Sequence, residues 1–152
     1  MKLLRVGEKR KEKPAILDGD GKIRDISSHV SDLNPDNLNF ETISKIQSVD
    51  TSRLPEISSD QRIGSCITSP GKFVAIGLNY SDHAAEVGAD IPKEPIMFMK
   101  ATSSMCGPND DVEIVSGSKK LDWEVELGIV IGKEAKHISC LLYTSPSPRD
   151  DQ

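Results

Sequence analysis

The chain has 152 residues, enough for one ordinary domain or for a small domain joined to part of another, and too few for a large enzyme. Its 19 basic and 24 acidic residues give a net charge of -5, and the basic cluster KRKEK at 9–13 is interrupted by Glu12, which argues against nucleic acid as a partner. No apolar run reaches signal-peptide or membrane-spanning length, so a soluble cytoplasmic protein with no membrane partner is expected, with the mitochondrion as the alternative compartment.

Taken in chain order, VGEKRKEKPAILDGDGKIRDI at 6–26 predicts two short strands around a Gly-rich turn at 18–21. The same DGDG run fails as a calcium loop, because the twelfth position, which needs a bidentate Glu, holds His29. DNLNFETISKIQ at 36–47 spaces Leu38, Phe40, Ile43 and Ile46 for a short amphipathic helix, with Asp36 or Asn39 available to cap it. The stretch at 48–72 is rich in Ser, Pro, Asp and Gly, and a domain boundary is placed within it, at 60–71.

Beyond the boundary the texture changes. KFVAIGLNY at 72–80 predicts a strand ending on Gly77, and Ser81 or Asp82 can then cap a short helix, DHAAEV, closed by Gly88. On that helix His83 and Glu86 share a face. EPIMFMK at 94–100 predicts a strand with Ile96, Phe98 and Lys100 alternating against Met97 and Met99, and VEIV at 112–115 predicts another. The pattern as a whole is α+β and β-rich.

DWEVELGIV at 122–130 raises the central chemical question. Read as a strand, it places Leu121, Trp123, Val125, Leu127, Ile129 and Ile131 on one side and Asp122, Glu124 and Glu126 on the other. Two glutamates two positions apart have Cα atoms roughly 6.6 Å apart, with both carboxylates entering the same space. Such a pair is tolerated if one carboxylate is protonated, if both stand in water on a half-exposed strand, or if a cation sits between them. An oxygen-only ligand set favours a hard ion, Mg2+, Mn2+ or Ca2+, over zinc.

Three separated stretches, GLNYSDHAAEVG at 77–88, PIMFMKATSSMCGPNDDV at 95–112 and LDWEVELGIVIG at 121–132, occur in that order and together resemble the fumarylacetoacetate hydrolase family. The opening 26 residues are similar to the small N-terminal domain of its bacterial-type branch, whose members often bear the names ureidoglycolate lyase or diketo-deoxy-fuconate hydrolase. The resemblance implies a small N-terminal domain at 1–65 and, at 66–139, the first part of a β-rich catalytic domain of mixed sandwich or roll type. It also implies Mg2+ or Mn2+, with Ca2+ as a substitute, held by three carboxylates. Glu124 and Glu126 match two of them, and the third belongs to a downstream strand that this sequence does not reach. His83 and Glu86 match the family's His-Glu pair, and Lys100 matches a lysine that lines its site.

The activity so implied is hydrolysis of a carbon-carbon bond in a small oxo-acid substrate, a 1,3-dicarbonyl compound of acylpyruvate or diketo-sugar-acid type. Glu86 would orient His83 as the base that activates water, and Lys100 would assist the enolate. Oxaloacetate-type decarboxylation and oxo-acid tautomerisation use the same electrophilic arrangement, and a non-catalytic metal-binding or interaction module is the alternative from another class. A homodimer is the expected assembly of the intact protein.

Apart from that resemblance each residue has an ordinary reading: His83 as a surface helix histidine, Lys100 as a solvated strand end, Asp122 as the end of a loop. His29 and His137 carry no motif and are taken as structural. Cys66, Cys106 and Cys140 are odd in number and widely spaced, fitting neither a disulfide framework nor a zinc knuckle. The last 13 residues, CLLYTSPSPRDDQ, do not resemble the family. They resemble the translation of a transposase-type sequencing adapter, so 140–152 is set apart from the fold as a non-native tail, and its aspartates are not enlisted as the third ligand.

Overall fold

The computed structural model describes residues 1–137, and the tail at 140–152 lies outside them. The N-terminal part is a four-stranded antiparallel sheet in the order β1 (Lys2–Val6), β2 (Lys13–Leu17), β3 (Ile23–Asp25) and β4 (Glu56–Ile57). The expected hairpin is β2–β3. Its turn is held by the Asp18 carboxylate, which accepts from the backbone N–H groups of Asp20 (2.9 Å) and Lys22 (2.8 Å) and from Arg24 Nε (2.8 Å). These bonds explain why the aspartate is useful in DGDG without a calcium ion.

The sheet is apolar on both faces because its strands alternate. Leu3 pairs with Ile16 on one face, and Leu4 pairs with Ala15 on the other. Ile16 joins Ile26, Val30, Leu33 and Ile46 in one buried cluster, while Val6, Ala15 and Ile23 form a second against Leu4, Leu17, Ile57 and Ile63. Each isoleucine so enclosed contributes about 1.5–3 kcal/mol of burial free energy. Helix α1 (Phe40–Gln47) covers the first face. Asn39 caps it, its side chain accepting from the Thr42 N–H at 2.9 Å. Phe40, expected on the apolar stripe, is 68% exposed. It stands six residues before Ile46, about 120° around the helix from it.

Residues 62–64 return along the sheet. Val6 bridges Ile63, the Gly7 N–H donates to the Arg62 carbonyl (2.9 Å), and the Gly64 N–H donates to the Arg5 carbonyl (2.7 Å). This places the Arg62 guanidinium beside Glu12 (Nη1 to Oε1, 2.8 Å) and against Asp110 from the later part of the chain (Nε to Oδ1 and Nη2 to Oδ2, both 2.6 Å). Arg5, buried, pairs with Asp32 (Nε to Oδ1, 2.6 Å) and lies 3.5 Å from Glu12. Burial alone would push the Glu12 carboxyl up, but its bond to Arg62 and the charges of Arg5 and Arg62 hold it below the usual range.

The second part holds β5 (Val74–Gly77) and β6 (Ile96–Met99), paired antiparallel in a sheet that has two strands among the described residues, with α2 (Ser81–Glu86) between them in sequence. All four β6 residues are exposed. Among the described residues the buried apolar side chains lie within 6–46, apart from Ala84.

The strands expected at 112–115 and 121–131 are not formed. No described residue pairs with either stretch, and Trp123, Val125, Leu127, Ile129 and Ile131 are each more than three-quarters exposed. A strand exists through its ladder, and the alternation at 121–131 has no neighbour among the described residues to bond with.

Candidate active site

Four short pieces carry the candidate residues. Strand β5 ends at Gly77, and Leu78 follows in the left-handed region (φ 49), a backbone state that costs a non-glycine residue roughly 1–3 kcal/mol. Asn79 comes next, and its side-chain amide donates to Glu126 Oε2 at 3.2 Å, across 47 positions of sequence. One of the two expected metal carboxylates is thereby brought to the mouth of the β5–α2 loop. Asn79 is not among the residues that the sequence reading points to, and its place in GLNY, two positions beyond the end of β5, is the signal that goes with it.

Helix α2 starts at Ser81 after Tyr80, and no side chain caps it. The expected capping role of Asp82 is replaced by a local contact in which its carboxylate accepts from the His83 N–H at 2.9 Å. His83 and Glu86 do share a face: Nδ1 lies 3.6 Å from Glu86 Oε2, an ion-pair distance rather than a hydrogen bond. The His83 side chain is 45% exposed. Gly88 closes the helix with φ +67.

Lys100 follows β6, and its backbone N–H donates to the Phe73 carbonyl at 2.9 Å, which fixes the strand's end. Its ammonium lies 5.9 Å from the Phe98 ring centroid, within cation-π range. Among the described residues no hydrogen bond or ion pair joins Lys100 to His83, or His83 to either glutamate, and no three His, Cys, Asp or Glu side chains gather as a metal-holding group.

A cleft of about 290 Å³ adjoins Asn79, lined by 76–79 on one side and 91–95 on the other. A hollow of about 640 Å³ lies in the N-terminal part between β2 and α1, with Lys2 and Asp18 as its charged liners. The smaller cleft is the better candidate because Asn79, the residue that donates to Glu126, lines it, and volume without chemistry does not make a site.

Residues 72–142 match the family described as fumarylacetoacetate (FAA) hydrolase, C-terminal. A Mycobacterium smegmatis protein named HpcE has a crystal structure that superimposes with a TM-score of 0.60 at 30% identity, covering 78% of this chain and 42% of that one. Over residues 72–142 the sequence is that of the fumarylacetoacetate hydrolase family. Proteins that carry the name hydrolase in Burkholderia lata and in Burkholderia ambifaria are each 54% identical over 138 residues, or 91% of this chain and 49% of theirs. The chain thus spans about half the length of the curated relatives it matches. The described fold, α+β and rich in sheet, is consistent with these matches. No helix among the described residues is long and apolar enough to cross a membrane.

Proposed function

We propose that this chain supplies the base and two metal carboxylates of a divalent-metal-dependent hydrolase that cleaves a carbon-carbon bond in an acylpyruvate-like 1,3-dicarbonyl acid. The observation that carries the reading is the Asn79–Glu126 contact, which joins the loop leading to His83 to the carboxylate pair. In kind, Glu124 and Glu126 suit Mg2+ or Mn2+, ions commonly held by one or two carboxylates with water and substrate oxygens completing the shell. When bound, the ion would supply Lewis-acid polarisation of the substrate's 2-oxo acid end.

The remaining work falls to side chains. Glu86 faces His83 Nδ1, which leaves Nε2 to take a proton from water. The hydroxide adds to the distal carbonyl carbon. The carbon-carbon bond then breaks with its electron pair moving onto the oxo-acid fragment as an enolate, and His83 returns its proton to the enolate carbon from which the bond broke. The Lys100 ammonium offsets the enolate charge. The cleft at 76–79 and 91–95 would receive the acyl portion, with Ile76 and Ile91 as its apolar walls.

The test uses residues 1–139 joined to the unmatched half of the Burkholderia lata relative. Calorimetry with Mn2+ should show binding that Glu124→Gln or Glu126→Gln removes, and His83→Ala should abolish acylpyruvate hydrolysis while Mn2+ still binds. Unchanged Mn2+ affinity in both glutamine variants would overturn the metal assignment. Oxaloacetate decarboxylation without any hydrolysis, surviving in His83→Ala, would replace this reading with a decarboxylase.

A further inference from the structure

The apolar residues of this chain are divided unevenly. Those of the N-terminal sheet are enclosed, whereas Leu121, Trp123, Val125, Leu127, Ile129 and Ile131 are 60–79% exposed, and Val74, Ile76 and every residue of β6 join them at the surface. Exposed apolar area of this extent marks an interaction surface. The sheet geometry adds direction to it. Among the described residues β5 and β6 pair only with each other, so each strand keeps one unpaired edge there, and a two-stranded sheet is marginal without further strands or a covering layer. The 121–131 stretch alternates at period two, the spacing that a neighbouring strand would read.

The curated relatives state what size of occupant is at issue. The chain matches them over 91% of its own length but only 49% of theirs, so a segment about as long as this chain accompanies the similar stretch in those proteins. We propose that the exposed surface of β5, β6 and 121–131 is a docking face for that second half of the fold, and that the two halves assemble even when supplied as separate polypeptides. The N-terminal sheet has its own enclosed core and does not need the partner. The second part has not, and strand pairing along the β5 and β6 edges, with burial of the 121–131 stripe, is what the partner provides. This rests on family membership and on exposure, and is independent of the metal and of the reaction.

The experiment is co-expression of the 152-residue chain with the unmatched half of the Burkholderia lata relative, purified throughout in EDTA so that no metal contributes. The expected result is a soluble 1:1 complex by light scattering, in which backbone amides at 121–131 and 96–99 become protected from hydrogen exchange. Leu127→Lys and Ile129→Lys should each abolish the complex while leaving urea unfolding of the N-terminal sheet unchanged. Recovery of no soluble 1:1 complex would overturn the proposal. So would a self-associated chain that buries the same stripe, or a complex that both lysine variants leave intact.

Discussion

Arg62 grips Asp110 through two parallel hydrogen bonds of 2.6 Å, and the same guanidinium reaches Glu12 at 2.8 Å. The fork thus ties the edge of the N-terminal sheet to a turn that follows Lys100 by a few residues. Asp110 also accepts from the Gly107 N–H at 2.7 Å, so the arginine sets the geometry of that turn. Arg62→Ala should release 105–110, seen as faster amide exchange there, while β1 to β3 keep their protection. Asp110→Asn should have the same local effect, and the double variant should cost less than the sum of the two. Equal loss of protection over the whole sheet would assign the fork to the N-terminal core instead.

Acid should open this contact before it unfolds the rest. Arg62 and the Gly107 N–H hold the Asp110 carboxyl at about 2, below the ordinary 3.8, and Glu12 and Asp18 are lowered as well. Groups depressed in the folded state favour folding above their unfolded values, and the benefit is lost as pH falls through the folded ones. Exchange at 105–110 should therefore rise between about pH 4 and about pH 2. In Asp110→Asn that pH-dependent rise should shrink.

Gly107→Ala should be destabilising. A Cβ at that position would stand 2.2 Å from the Ile63 carbonyl oxygen and 3.1 Å from the Gly64 Cα, both backbone atoms that cannot swing aside. A cost of roughly 1–3 kcal/mol is expected in urea titration, as for other overpacked sites. Gly19→Ala, where nothing lies within 4 Å of the added carbon, is the control and should be nearly silent.

Truncating enclosed and exposed isoleucines should separate the two parts of the chain. Ile46 is 1% exposed, and Ile46→Ala should cost about 2–5 kcal/mol. Ile129 is 78% exposed, and Ile129→Ala in the 152-residue chain should leave the unfolding free energy within about 0.5 kcal/mol. A large effect at Ile129 would mean that the isolated chain already covers it.

The hairpin at 18–21, the Asn39-capped helix, the strand ending on Gly77 and the helix closed by Gly88 were all legible, because each depends on neighbours in sequence. β1 was not. LLRV is a short run beside a charged loop, and its strand character comes from pairing with β2. β4 is two residues long and exists only against β3. The ion-pair fork was also invisible, since Arg62 and Asp110 look like ordinary surface residues until the fold sets them side by side. At the site, the His83–Glu86 spacing could be read from helical period, whereas the Asn79–Glu126 contact spans two elements and required the fold. The strand reading of 121–131 used a period that is correct for a strand and silent about whether a partner is present.

Arg62 and Asp110 are 48 positions apart, and this distance sets an order of events during synthesis. At about 5–20 residues per second, a ribosome needs roughly 2–10 s to add the aspartate after the arginine. Throughout that interval the N-terminal sheet can already close, because Arg62 has Glu12 and the Gly7 carbonyl as partners from upstream sequence. The nascent chain is then a folded foothold with half of its guanidinium fork still open, waiting for a carboxylate that has not yet been translated.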